Sequence, residues 1–122
     1  METVLLYQIK GTKTAVLLKP VLLKLGIRVR IVEPEQYLQS IGFLAGNKAF
    51  AESPEAYDGA GFDEPMMVMA GFSERKLDLF LTEKVPPIAL KAIVTTQNQA
   101  WNSLQLYREL KEEHEKMKSY RK

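Results

Sequence analysis

Apolar residues along this chain fall into short blocks separated by polar turns, and the spacing within each block assigns an element. Residues 4–9 (Val4, Leu5, Leu6, Tyr7, Gln8, Ile9) are apolar at almost every position, as in a strand covered on both faces. Gly11, Thr12, Lys13 and Thr14 lead into a helix over residues 12–25, stopped by Gly26. Val16, Leu17, Val21 and Leu25 supply its apolar stripe. Pro20 must kink this helix or split it into two short turns, because proline removes a donor and crowds the preceding turn. Residues 27–32 alternate, with Ile27, Val29 and Ile31 on one side and Arg28 and Arg30 on the other. This marks an edge strand whose arginines discourage sheet-to-sheet pairing. Pro34 suits the first position of a helix over residues 34–45, with Leu38, Ile41 and Ala45 toward the core and Gly46 and Asn47 as its stop.

No periodicity holds over residues 47–64, where Pro54, Gly59, Gly61 and several acids make a loop. It is long for a compact domain, and it reads either as hiding a helical turn near residues 52–57 or as a flap. Residues 66–70 are an unbroken apolar run suited to the middle of a sheet. The helix over residues 74–84 gathers Leu77, Phe80 and Leu81 on one face and ends before Pro86 and Pro87. Residues 92–94 form the fourth strand. The last helix, residues 103–119, buries Leu106, Tyr107, Leu110 and Met117, with charge pairs such as Lys111 and Glu115 four apart on its outer face. Strand and helix thus alternate four times. That predicts an α/β fold over 1–122: a four-stranded, mostly parallel sheet in the order 2-1-3-4, with helices on both faces. The first and last helices are expected on one face and the second and third on the other.

Composition narrows the chemistry more than the fold. The 122 residues are 46% hydrophobic and 26% charged, the balance of an ordinary globular domain. There is no cysteine, which excludes disulfides, thiolate metal sites and cysteine nucleophiles. No apolar run has the length of a membrane helix, and the start is acidic, so the expectation is a cytoplasmic protein without membrane contact. The net charge of +2 is concentrated in the tail: residues 108–122 hold six basic and four acidic side chains. Nucleic-acid binding usually needs a basic stripe on the body of the domain, so the distribution argues against it.

In a parallel sheet, ligands bind outside the carboxyl ends of the strands where the order reverses. That places a candidate anion or nucleotide site in the crevice between strands one and three. Gly11, Thr12, Gly71 and Ser73 would line it, with Thr95, Thr96, Asn98 and Trp101 alongside. Glycines allow close backbone approach, and helix starts offer free N–H groups. Each of these residues also has a plainer job. Thr12, Ser73 and Asn102 suit helix caps. Phe72 with Leu77, and Trp101 with Leu106, match hydrophobic staples. Asn98 suits a turn held by side-chain-to-backbone bonds. Gly11 to Thr14 is not a phosphate loop, since Leu6 stands where the first glycine is needed and Thr12 follows Gly11. His114 has no second histidine to share a metal, and Asp63 with Glu64 lacks the contrasting environments that acid/base pairs require. No catalytic residue, metal or cofactor is assigned.

The central stretch also resembles a known family. Its features are Ala70, Gly71, Phe72, Ser73, then Leu77, Phe80, Leu81, then Lys91 to Thr95, Asn98, Trp101 and Leu104, and a late Glu-Leu-Lys-Glu-Glu-His run at 109–114. These resemble a family of small bacterial proteins known as domain-of-unknown-function family 3783, and residues 41–46 are similar to another segment of it. The resemblance runs over nearly the whole chain. It implies a stand-alone bacterial domain and carries no activity. Taken with the missing constellations, it favours a binding or protein-interaction module without catalysis, homodimeric or with a protein partner. The alternative is a small-ligand protein, or an enzyme, using the strand-end crevice.

Overall fold

In the computed structural model, residues 2–59, 61–62, 64–83 and 88–120 are described, with side chains up to residue 116. Four strands, β1 (Thr3–Tyr7), β2 (Arg28–Ile31), β3 (Met66–Ala70) and β4 (Leu90–Ile93), form one sheet in the order β2-β1-β3-β4. The helices are α1 (Lys13–Lys24), α2 (Ile41–Leu44), α3 (Glu74–Leu81) and α4 (Ser103–Tyr120). The expected α/β class and strand order hold. The two central strands are buried at every position, which is why their sequences show no polar alternation.

Two of the three pairings are parallel: β1 with β2 (Thr3 opposite Arg28) and β3 with β4 (Met66 opposite Leu90). The central pair is not. β1 and β3 run antiparallel, with Thr3 opposite Ala70 and Tyr7 opposite Met66. This reverses the second half of the molecule and corrects two expectations. First, α1 and α3 share a face, packing with Val4, Leu6, Met67 and Met69, while α2 and α4 pack with Leu5, Tyr7, Met66 and Val68 on the other. Two right-handed strand-helix-strand units joined through antiparallel strands carry their helices on the same side. Second, the carboxyl ends of β1 and β3 point to opposite rims of the sheet, so no crevice forms between them.

The helices depart from expectation where apolar spacing was degenerate. α1 runs through Pro20 as one helix, with Pro20 exposed. Its buried residues are Ala15, Leu18 and Leu22. The expected stripe is rotated outward: Val16 and Leu17 are exposed, and Val21 and Leu25 are only half-buried. The expected helix over 34–45 is a 3-10 turn at Pro34–Gln36 followed by α2. On α3, Phe80 is buried and Leu81 is exposed, and the helix ends at the Thr82 cap. Residues 84–87, including Pro86 and Pro87, lie outside the described residues, as does the Met117 side chain.

Residues 47–59 contain no helical turn, and the loop is tied to the body by specific bonds. Gln39 exchanges two hydrogen bonds with the Ser53 backbone, at 2.9 and 2.7 Å. The Tyr57 amide donates to the Glu35 carbonyl at 3.2 Å. Phe62 is buried between Tyr37 and Tyr107, with ring centroids 4.6 and 4.1 Å away. Glu64 pairs with Lys111 and lies within reach of the Tyr107 hydroxyl, so it is a structural anion; Asp63 is outside the described residues.

Candidate functional site

The antiparallel centre divides the expected site residues between two rims. Gly11 and Thr12 follow β1 at the rim shared with the end of β2. Gly71, Ser73, Thr95, Thr96 and Asn98 follow β3 and β4 at the opposite rim, next to the start of β2. Trp101 packs into the α2/α4 layer.

Most of these residues are engaged in holding their own turns. Thr12 Oγ1 accepts from the Ala15 amide at 3.2 Å and caps α1. Ser73 Oγ accepts from the Lys76 amide at 3.1 Å and caps α3. Asn98 closes the polar turn: its Oδ1 accepts from the Thr95 amide at 2.8 Å and its Nδ2 donates to the Ile93 carbonyl at 3.1 Å. Thr95 Oγ1 returns a bond by accepting from the Asn98 amide at 3.0 Å. Asn102 accepts from the Gln105 amide at 2.9 Å, and Trp101 and Leu106 pack in one cluster behind it. The Trp101 carbonyl accepts from the Ile41 amide at 2.8 Å, which joins the starts of α2 and α4.

What is open on the β3/β4 rim is a pocket of about 320 Å³. Its walls come from Thr3, Arg28, Gly42, Gly46, Asn47, Gly71, Val94 and Gln99, among others. Gly46 and Gly71 have φ of 90° and 75°, a region that glycine enters without steric cost, and so line the pocket with bare backbone. The Arg28 guanidinium lies 3.9 Å from where a Gly46 Cβ would stand. The Arg28 guanidinium has no ion-pair or hydrogen-bond partner among the described residues, whereas that of Arg30 donates to the Leu44 carbonyl at 3.3 Å and lies over the Phe43 ring. Asn47 Nδ2 donates to Gln99 Oε1 at 3.3 Å, bridging α2 and the turn after β4. Of the expected residues only Gly71 lines this pocket. Arg28, Asn47 and Gln99 were missed: Arg28 read as an edge guard, and nothing local in the sequence brings residues 28, 47 and 99 together.

The other rim holds a cleft of about 250 Å³ lined by Gln8, Lys10, Ile31, Val32, Glu33, Pro34 and Tyr37. Lys10 Nζ and Glu33 Oε1 are 3.7 Å apart. Gln8 Nε2 donates to Tyr37 Oη at 3.0 Å. Burial raises the Tyr37 phenol above its ordinary pKa, the Gln8 bond lowers it less, and the Glu33 charge raises it further. His114 is half-buried on α4 beside Leu90 and Leu110. Among the described residues no group of three or more His, Asp or Glu side chains is placed to hold a metal, and no helix is long and apolar enough to cross a membrane.

Residues 65–117 match the family model described as a domain of unknown function, DUF3783. The chain is similar to that family over the segment running from β3 through most of α4. The match is narrower than the whole-chain resemblance expected from sequence, and residues 41–46 fall outside it. No curated protein and no solved structure matches the chain.

Proposed function

We propose that this protein is a binding module without catalysis, and that its ligand is a small anion bearing a carboxylate or phosphate. The observation that carries this reading is Arg28, a guanidinium without an ion-pair partner among the described residues, at a pocket of about 320 Å³ walled by glycine backbone. Guanidinium offers paired donors that match carboxylate and phosphate oxygens. A charge-assisted hydrogen bond contributes about 1.5–3 kcal/mol, or roughly ten- to hundredfold in affinity. Calorimetric titration with phosphate and with acetate should show binding that Arg28→Ala weakens by at least about tenfold. Arg75→Ala, on the outer face of α3, should leave it unchanged. If neither anion binds, or if Arg28→Ala binds as well as the parent, the reading fails.

A second reading, self-association, is favoured by the face that α1 and α3 share. Val16 is 68% and Leu23 80% exposed on α1, and Leu79 and Leu81 are exposed on α3. A helix that is apolar all round is normally covered. A second copy, with its α3 laid on this α1, would cover the exposed apolar side chains of both helices. Sedimentation equilibrium should then show a dimer that Leu23→Glu converts to monomer. A parent protein that is monomeric at high micromolar concentration removes this reading.

A further inference from the structure

We propose that the cleft at the carboxyl ends of β1 and β2 is a second binding site, for a small zwitterion carrying adjacent carboxylate and ammonium groups, as a free amino acid does. β1 and β2 are neighbouring parallel strands that end together. The chain leaving β1 crosses to α1 on one face, and the chain leaving β2 crosses to Pro34–Gln36 and α2 on the other. Connections that part in this way open a crevice outside the strand ends, and in α/β sheets that crevice is where ligands bind. Here it measures about 250 Å³, below the roughly 300–1,000 Å³ of typical ligand pockets, which restricts it to a small molecule.

Both signs of charge stand at its mouth. Lys10 and Glu33 are 3.7 Å apart, with side chains 78% and 45% exposed, so their mutual attraction is weak and easily exchanged for ligand contacts. The Glu33 backbone is fixed at the start of the Pro34–Gln36 turn, its amide donating to Gln36 Oε1 at 3.1 Å and its carbonyl accepting from the Gln36 amide at 2.9 Å, which sets where its carboxylate emerges. Gln8 adds an oriented acceptor. Its Nε2 donates to the buried Tyr37 Oη at 3.0 Å, which leaves Oε1 without a donor among the described residues. The Gln8 backbone has φ 55°, and Gln8 is the only non-glycine residue at positive φ among the described residues. This region costs an L-residue roughly 1–2 kcal/mol, and such strain collects at binding sites. A ligand carboxylate would accept from Lys10, and its ammonium would donate to Glu33 and to Gln8 Oε1. A simple anion meets Glu33 and a simple amine meets Lys10, so neither half alone is complemented. Arg28 stands at the other end of β2, which makes this site independent of the anion pocket.

The test is a thermal-shift screen of the full chain against the twenty free amino acids, followed by calorimetry of any hit beside acetate and ethylamine on the Arg28→Ala protein, in which the anion pocket is disabled. The expected result is binding of one or a few amino acids, with acetate and ethylamine at least about tenfold weaker. Lys10→Met should weaken binding about tenfold or more, and Arg28→Ala should not change it. Gln8→Gly separates site from scaffold: relief of the positive φ offsets the lost bond to Tyr37 Oη, so the variant should stay folded, yet it lacks the Oε1 acceptor and should weaken the ligand. The proposal is overturned if no amino acid shifts the melting temperature, if acetate binds as tightly as the hit, or if Gln8→Gly binds unchanged.

Discussion

Replacing Phe62 by alanine is expected to lower the unfolding free energy by about 3–5 kcal/mol, the usual cost of deleting a buried aromatic ring. Phe62 lies in an irregular segment, where substitutions are ordinarily mild. Its ring, however, stacks nearly parallel on Tyr37 and on Tyr107, at 9° and 10°, and tilts against Tyr7 at 5.7 Å. Few neighbours can relax into the space, since Tyr7 and Tyr37 are fully buried and belong to the sheet and the 3-10 turn. Urea unfolding should show the loss as a lower midpoint, with the melting temperature falling by roughly 10 °C or more. Tyr57→Ala is the comparison. Tyr57 is only half-buried and stacks on Tyr37 at 6.0 Å, so its loss should cost clearly less. A Phe62→Ala variant within about 1 kcal/mol of the parent would mean that the ring stack does not anchor the loop.

Alkaline pH should destabilise the protein through Tyr7. Its hydroxyl is buried 2.8 Å from Ser103 Oγ. Burial raises the phenol far above its ordinary value of 10.0, and the Ser103 bond lowers it less. Above pH 10 the unfolded chain releases this proton while the native protein keeps it. The Tyr7 contribution is therefore complete below about pH 10 and declines as pH rises, by up to about 1.4 kcal/mol per pH unit. Tyr37 acts in the same direction. Tyr7→Phe should flatten the decline between pH 10 and 11, read from urea midpoints at each pH. At neutral pH the same variant strands the Ser103 hydroxyl, at a cost of about 1–3 kcal/mol, and adding Ser103→Ala should recover most of it. A decline equally steep in Tyr7→Phe would assign the alkaline loss to other groups.

The sequence made legible the features that depend on neighbours along the chain. Unbroken apolar runs identified β1 and β3 as central strands, and alternating arginines placed β2 at an edge. Thr12, Ser73 and Asn102 were readable as caps because a cap bonds within three residues of itself. Strand direction was not legible. An apolar run looks the same in either sense, and the segment of residues 47–64 is long enough to return the chain either way. That one ambiguity placed Gly11 and Thr12 beside Gly71 when they belong at opposite rims. The buried face of α1 was not legible either, because apolar side chains surround the helix. Of the candidate site, Gly71 could be found from its turn. Arg28, Asn47 and Gln99 could not, since only tertiary folding joins them.

The antiparallel seam between β1 and β3 also bears on how the sheet is built in time. Thr3 pairs with Arg28, and Met66 with Leu90, across a single intervening helix each. Thr3 and Ala70, paired across the seam, are separated by more than half of the chain. Contacts close in sequence form at lower entropic cost than distant ones. Each strand-helix-strand half therefore gathers its own contacts at modest cost, and the seam carries most of the long-range closure. Substitutions on the Leu5 and Val68 sides of that seam are expected to alter the folding rate in proportion to how far it has closed at the barrier.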